Sequence, residues 1–218
     1  ALKLKYPVDV EASVGSVFRR MWTAEYLPEG CPPSSLVTLH FDATEVSGAP
    51  IEMTWSDGGI RPPHPYLIPS EDEMGDSGSS SGVMIVGEKG IITCGSYGVN
   101  AKLYRPGEPV VNSAPPTPSD EPEFGHQRKW VDACKAGFDS AEHKALTSSF
   151  DYSGPLTETV LMGNLAIRSY LLRRQRAQGG FEYYGQKRLL WDGENMRITN
   201  LEEANQFATR SYRKGWEI

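Results

Sequence analysis

A chain of 218 residues, 39% hydrophobic and 23% charged, can bury a core without disulfide staples, which excludes a disordered tail. Its formal net charge of −6 argues against a nucleic-acid surface, which is usually basic, and no apolar run approaches the roughly 18 residues of a membrane helix. The three cysteines, Cys31, Cys94 and Cys134, form no CxxC pair, which excludes a disulfide framework and a zinc knuckle.

In chain order, Ala1–Leu4 lacks the charged and apolar regions of a signal peptide and reads as the end of a helix that begins upstream. Val8–Ala12 alternates and predicts a strand. Ser35–Phe41 and Pro50–Trp55 are further strands, expected to pair through turn chemistry at Thr44–Gly48. Ser56–Gly82 is irregular. Its acidic, serine-rich half, residues 70–81, predicts a solvated mobile loop. Val83–Val86 and Ile91–Cys94 flank a glycine turn and predict a hairpin, and Ala101–Tyr104 is another strand.

The helices follow. Asp120 and Glu123 have capping-box spacing, with Pro122 in the first turn. Trp130, Val131 and Cys134 form an apolar stripe, and Gly137 suits a C-cap. A second helix is expected after Ser153, with Leu156, Val160, Gly163, Ile167 and Leu171 on its buried face and Gly179-Gly180 as its stop. Arg188–Trp191 predicts a last strand. Asn200 and Glu203 cap a short helix over Leu201–Ala208, and Trp216 is a candidate to dock the terminal tail. Strands first and helices afterwards predict an α+β fold: one open, mainly antiparallel sheet of six or seven strands with helices on one face, in a single domain over 1–218. Val83–Val86 and Ile91–Ile92 are apolar on both faces, which predicts an apolar bare face and a homodimer or tetramer through it.

No G-x-G-x-x-G, P-loop, G-x-S-x-G or H-E-x-x-H is present. The densest cluster runs from Thr54 to Pro65. Trp55 there suits stacking on a sugar face, while Asp57, Arg61 and His64 suit hydrogen bonds to a polyhydroxylated or anionic ligand. A rigid turn with Asp57 as an Asx cap explains the segment equally well. His126 and Lys129, three residues apart, share a helix face that either lines a cleft or is a polar outer face over a core Trp130. Ser148–Ser153 is explained by helix capping, and His40 and His143 by structural or surface roles.

The series Thr54–Gly59 with Pro62-Pro63, His126–Gly137, Ser149–Glu158, Leu190–Asp192 and Tyr212–Trp216 resembles the C-terminal domain of the Gfo/Idh/MocA oxidoreductases, in the bacterial branch with long C-terminal domains. The resemblance spans nearly the whole chain in the same order. It implies an N-terminal Rossmann domain, outside this chain, that binds NAD or NADP and carries the catalytic lysine. It implies that this chain shapes the pocket for a carbohydrate-like small molecule through Trp55, Asp57, Arg61, His64, His126 and Lys129, and itself holds no catalytic residue, cofactor or metal. Nucleic acid and membrane are not expected partners. Two other readings keep this fold: a relative that uses NAD to cleave glycosides, and a non-catalytic dimerisation module.

Overall fold

The computed structural model describes residues 2–79, 81–114, 124–210 and 212–216. The elements in order are β1 (Asp9–Val14), β2 (Phe18–Arg20), β3 (Thr23–Ala24), β4 (Ser35–Phe41), β5 (Ile51–Ser56), β6 (Gly82–Gly87), β7 (Gly90–Gly95), β8 (Lys102–Tyr104), β9 (Val111–Asn112), α1 (Gly125–Ala136), α2 (Ala141–Lys144), α3 (Phe150–Tyr170), β10 (Arg173–Gln175), β11 (Phe181–Tyr183), β12 (Leu189–Asp192) and β13 (Arg197–Ile198). Two 3₁₀ turns lie at Ser96–Gly98 and Glu202–Phe207. The fold is mixed α and β with antiparallel sheets. The chain forms two compact units, one of residues 1–61 and 133–218, the other of residues 62–132. The predicted strands are present, but not as one sheet: they fall into a five-stranded sheet in the first unit and a four-stranded sheet in the second, with two small hairpins.

The five-stranded sheet has the order β13-β12-β1-β4-β5. Strict alternation in β4 puts Ser35, Val37, Leu39 and Phe41 inside and leaves Leu36, Thr38 and His40 half-buried. Register carries that pattern sideways: Leu189 pairs with Val10, Val10 with Leu39, and Leu39 with Met53. This apolar row packs in one cluster with Met162, Leu165 and Ala166 of α3 and with Ile198, Leu201 and Ala204. Each such fully buried side chain contributes about 1.5–3 kcal/mol by leaving water. Trp191 joins the cluster and donates its indole N–H to Glu158 of α3 at 2.6 Å, so a polar atom carried into the core edge is satisfied.

α3 departs from the sequence pattern in two ways. It starts at Phe150, so Pro155 lies in the second turn rather than the first, and it ends at Tyr170, well before Gly179-Gly180. Those glycines, both at positive φ, instead turn β10 into β11. The buried face is Met162, Leu165, Ala166 and Ser169, while Leu156, Val160 and Leu161 are exposed. The buried side chains all lie in the C-terminal half of the helix, and an apolar stripe cannot report where its cover stops. The α1 stripe is likewise open: Trp130, Val131 and Cys134 are exposed and Ala133 is buried.

Asn200, expected as a helix cap, instead makes strand-like bonds, and Asn205 makes a second such pair. Asn200 accepts from the Leu190 N–H at 2.9 Å and donates to the Arg188 carbonyl at 2.9 Å. Asn205 does the same with the Ile198 N–H at 2.7 Å and its carbonyl at 3.0 Å. Such side-chain amides satisfy backbone groups that an edge leaves unpaired. In the β10–β11 hairpin, the Arg173 guanidinium stacks over Tyr26 at 3.4 Å and Phe181 at 3.9 Å.

Residues 2–4 are not helical, contrary to expectation; Leu4 packs against the core and the Leu2 carbonyl accepts from Thr44. Trp216 stays exposed, with Arg213 over its ring at 4.2 Å. The expected cap at Asp120, Pro122 and Glu123 lies outside the described residues. Among the described residues, no helix is long and apolar enough to cross a membrane.

The half-covered helix has a measurable consequence. Leu165→Ala should cost about 2–5 kcal/mol in urea unfolding, whereas Leu156→Ala should cost less than about 1 kcal/mol. Equal losses would show that α3 is buried along its whole length.

Candidate functional site

The residues expected to meet at one rim belong to different units: Trp55, Asp57 and Arg61 to the first, His64, His126 and Lys129 to the second. Trp55 sits on edge strand β5, pairs with Val37 on the core-facing side, and is 65% exposed beyond the reach of α3. Its ring offers a free flat surface at the sheet edge.

Asp57 follows directly and is committed to the backbone. Its Oδ1 accepts from the Ser35 N–H at 2.7 Å and the Ser35 hydroxyl at 3.0 Å, and its own N–H donates to the Ser35 carbonyl at 3.0 Å. The Ile60 N–H then closes a turn on the Asp57 carbonyl at 3.2 Å. Gly58 is required within that turn: φ is +63°, and a Cβ would lie 2.1 Å from the Pro33 carbonyl oxygen. Of the two readings left open for this segment, the capped turn is the one whose bonds are present. Arg61 is exposed just beyond it.

In the second unit, the His64 ring nitrogens lie 3.2 Å and 3.4 Å from the Pro65 and Asp72 carbonyl oxygens, so the ring braces its own loop. His126 and Lys129 share one face of α1, both exposed, and Trp130 beside them is exposed rather than buried in a core.

Two polar constellations were not singled out by sequence. The first lies on the open face of the five-stranded sheet. Register puts Asp9 beside His40 and His40 beside Glu52. Nδ1 of His40 lies 2.6 Å from Asp9, and Nε2 lies 3.3 Å from Glu52. Arg188 stands 3.9 Å from both Asp9 and Glu11. The bare face of this sheet is therefore charged, not the apolar face the sequence led us to expect. The Asp9 hydrogen bond holds the His40 imidazole above its ordinary value of 6.5, while partial burial and Arg188 oppose it.

The second constellation lies within the segment expected to be a solvated loop: residues 71, 73 and 77–79 are exposed, but Asp72, Met74 and Asp76 dock on the sheet. Asp72 accepts from the Tyr104 hydroxyl at 2.7 Å and from Lys102 at 3.2 Å, and Asp76 accepts from the Ser96 N–H at 2.9 Å. Ile68 is buried in a small core with Ile91 and Tyr104, and Leu67, Met74 and Met84 pack around it. Asp72 and Asp76 are thus the polar anchors of a segment that docks on one face of the four-stranded sheet. Hydrogen bonds from Tyr104 and Lys102 lower the Asp72 carboxyl, and Asp72 in turn raises the Lys102 ammonium. Tyr104 is raised by burial first and by Asp72 second. Composition reports acidity and serine content, but not the strand register that supplies Lys102 and Tyr104 as partners.

Among the described residues, no group of His, Cys, Asp and Glu is placed to hold a metal ion. No family model matches the chain, and no curated protein matches it.

Two outcomes test these geometries. A group raised on folding stabilises most at pH below its unfolded value and loses that contribution as pH rises through the folded value. Removing the His40 contact by His40→Gln should therefore cost on the order of 1–2 kcal/mol near about pH 5.5 and clearly less near about pH 8.5, measured by urea unfolding. Gly58→Ala should cost more than about 1–2 kcal/mol, because left-handed strain adds to the clash with Pro33.

Proposed function

We propose that the chain is the C-terminal substrate-binding and oligomerisation domain of an NAD(P)-dependent oxidoreductase of the Gfo/Idh/MocA kind, acting on a sugar or sugar-like polyol. One observation carries this reading: an antiparallel five-stranded sheet has a long helix on one face and a polar face opposite, and its edge strand ends in an exposed Trp55 and the rigid Asp57–Gly59 turn. A flat aromatic surface beside a fixed polar turn suits a ring that is apolar on one face and hydroxylated at its rim. Asp57 holds the turn, which leaves the exposed Arg61 just beyond it as the charged side chain of this edge available to substrate.

The chain's own residues do not fit a dinucleotide. A pyrophosphate needs a glycine-rich turn between a strand and a helix N-terminus, inside a parallel βαβ unit. Among the described residues every strand pairing is antiparallel. On this reading the nicotinamide and the hydride step belong to a Rossmann domain N-terminal to this chain.

The reading includes assembly, and the apolar surface for it moves to the second unit. Ile85 pairs with Ile92, Ile92 with Leu103 and Leu103 with Val111, a row across all strands of the four-stranded sheet. Ile85, Ile92 and Val111 are exposed on the face opposite the docked loop. No strand position on that face carries a charge, so two copies of an acidic chain can meet there without like charges in contact. Light scattering at tens of micromolar should give a dimer or tetramer that Ile92→Lys converts to monomer. A monomeric parent chain would remove this part of the proposal.

The complete gene product should reduce NAD or NADP with a sugar or polyol, and Arg61→Ala should raise KM about tenfold with kcat largely kept. Residues 1–218 alone should show no micromolar affinity for NAD in calorimetry. Absence of nicotinamide reduction with every sugar offered, or tight NAD binding by this chain alone, would overturn the reading. Free sugar released without net NADH would assign glycoside cleavage in its place.

A further inference from the structure

The docked segment of the second unit leaves a cleft of about 380 Å³ between itself and the end of the four-stranded sheet. That is at the small end of the ~300–1,000 Å³ range of small-molecule sites. Its floor follows from register. Thr93, Lys102 and Asn112 are consecutive cross-strand partners on β7, β8 and β9, so they stand side by side on the covered face. Glu73 and Ser77 form the wall from the loop, and Asn100 and Ser113 the wall from the sheet end.

The walls are held at close quarters. Asp76 is bonded to the Ser96 N–H at 2.9 Å. A Cβ on Gly95 would lie 1.9 Å from Asp76, and one on Gly82 would lie 2.4 Å from the Cys94 carbonyl oxygen and 2.9 Å from Gly75. Asp72, tied to Tyr104 and Lys102, fixes the loop a few residues earlier. Gly82 is packed this tightly against backbone and Gly95 against the bonded Asp76 carboxylate, so the loop's approach to the sheet is set by the fold.

We propose that this cleft binds a small, uncharged, polyhydroxylated molecule, a sugar or an open-chain polyol. The lining hydroxyls of Ser77 and Ser113 and the amides of Asn100 and Asn112 each combine donor and acceptor capacity, the complement of a hydroxylated ligand, while the buried Thr93 hydroxyl is engaged with Tyr104. Among the described residues that line it, none is aromatic or long and aliphatic, a lining suited to a hydroxylated ligand more than to a nucleobase or lipid. An anion is disfavoured as well, since the charge of Lys102 is already met by Asp72 and Glu73 stands in the wall. Asp72 keeps Lys102 protonated, so the lysine is a hydrogen-bond donor here and not a nucleophile. The proposal uses residues 73–113 alone and does not rest on the nicotinamide reading.

The test is saturation-transfer-difference NMR on the full chain, without NAD, using methyl α-D-glucopyranoside, sorbitol and D-glucuronate as separate probes. The glucoside or sorbitol should give a signal at millimolar concentration, and which one does so distinguishes a ring from an open chain. Glucuronate should bind at least severalfold more weakly. Filling the cleft by Asn112→Trp should reduce affinity tenfold or more with the far-UV spectrum unchanged. If that variant does not fold, Ser77→Trp fills the cleft from the opposite wall and serves the same purpose. No signal from either neutral probe, an undiminished signal in a folded filled variant, or glucuronate binding as well as the glucoside would overturn the assignment.

Discussion

The structure of the first unit depends on one apolar row, Leu189–Val10–Leu39–Met53, and on the half-helix that covers it. The strands that make the row come from residues 9–14, 35–41, 51–56 and 189–192, so both ends of the chain must be in place before the row exists. Met162, Leu165 and Ala166 then close it from one side, and the pleat forces the intervening residues to the other. The polar ladder Asp9–His40–Glu52 is the reverse side of the same register. A slip of one residue in β4 would put Leu39 in water and His40 in the core, which is why a titratable histidine and a core leucine are fixed by a single pairing.

The second unit applies the same geometry with a different cover. Its apolar row Ile85–Ile92–Leu103–Val111 lies on the face opposite the docked loop, while the face that carries Ile91, Thr93, Lys102 and Tyr104 is closed by residues 67–76. Ile68 and Met74 bring apolar surface to that contact, and Asp72 and Asp76 bring hydrogen bonds. An acidic segment docks here because buried Tyr104 needs an acceptor and Lys102 needs a counter-charge. A carboxylate is the one group that serves both.

The same accounting separates structural polar groups from available ones. Asp57, His40, His64, Asp72, Asn200 and Asn205 each have side-chain polar atoms engaged within their own unit. Arg61 and His126 are exposed, and Trp55 presents an open ring beyond the helix. The chemistry open to a ligand is therefore narrower than the chemistry visible in the sequence, and part of it lies in a cleft lined by serine, threonine and asparagine.

Local pattern alone determined the strands Ser35–Phe41, Val83–Val86 and Ile91–Cys94, the turn at Thr44–Gly48, and the stop of α1 at Gly137. In each case the signal lies within a few residues: alternation, β-branching, or a glycine where φ must be positive. The capped turn at Asp57 was legible as one of two readings, because an aspartate before two glycines favours a turn but does not name the N–H it will accept. Tertiary structure decided the rest. The division of the strands into two sheets, the half-cover of α3, the docking of residues 67–76, and the use of Asn200 as an edge bridge each depend on a partner distant in sequence. Hydrophobic burial and hydrogen-bond satisfaction are settled only when those distant partners meet, so composition and spacing set what each segment can do, and register sets what it does.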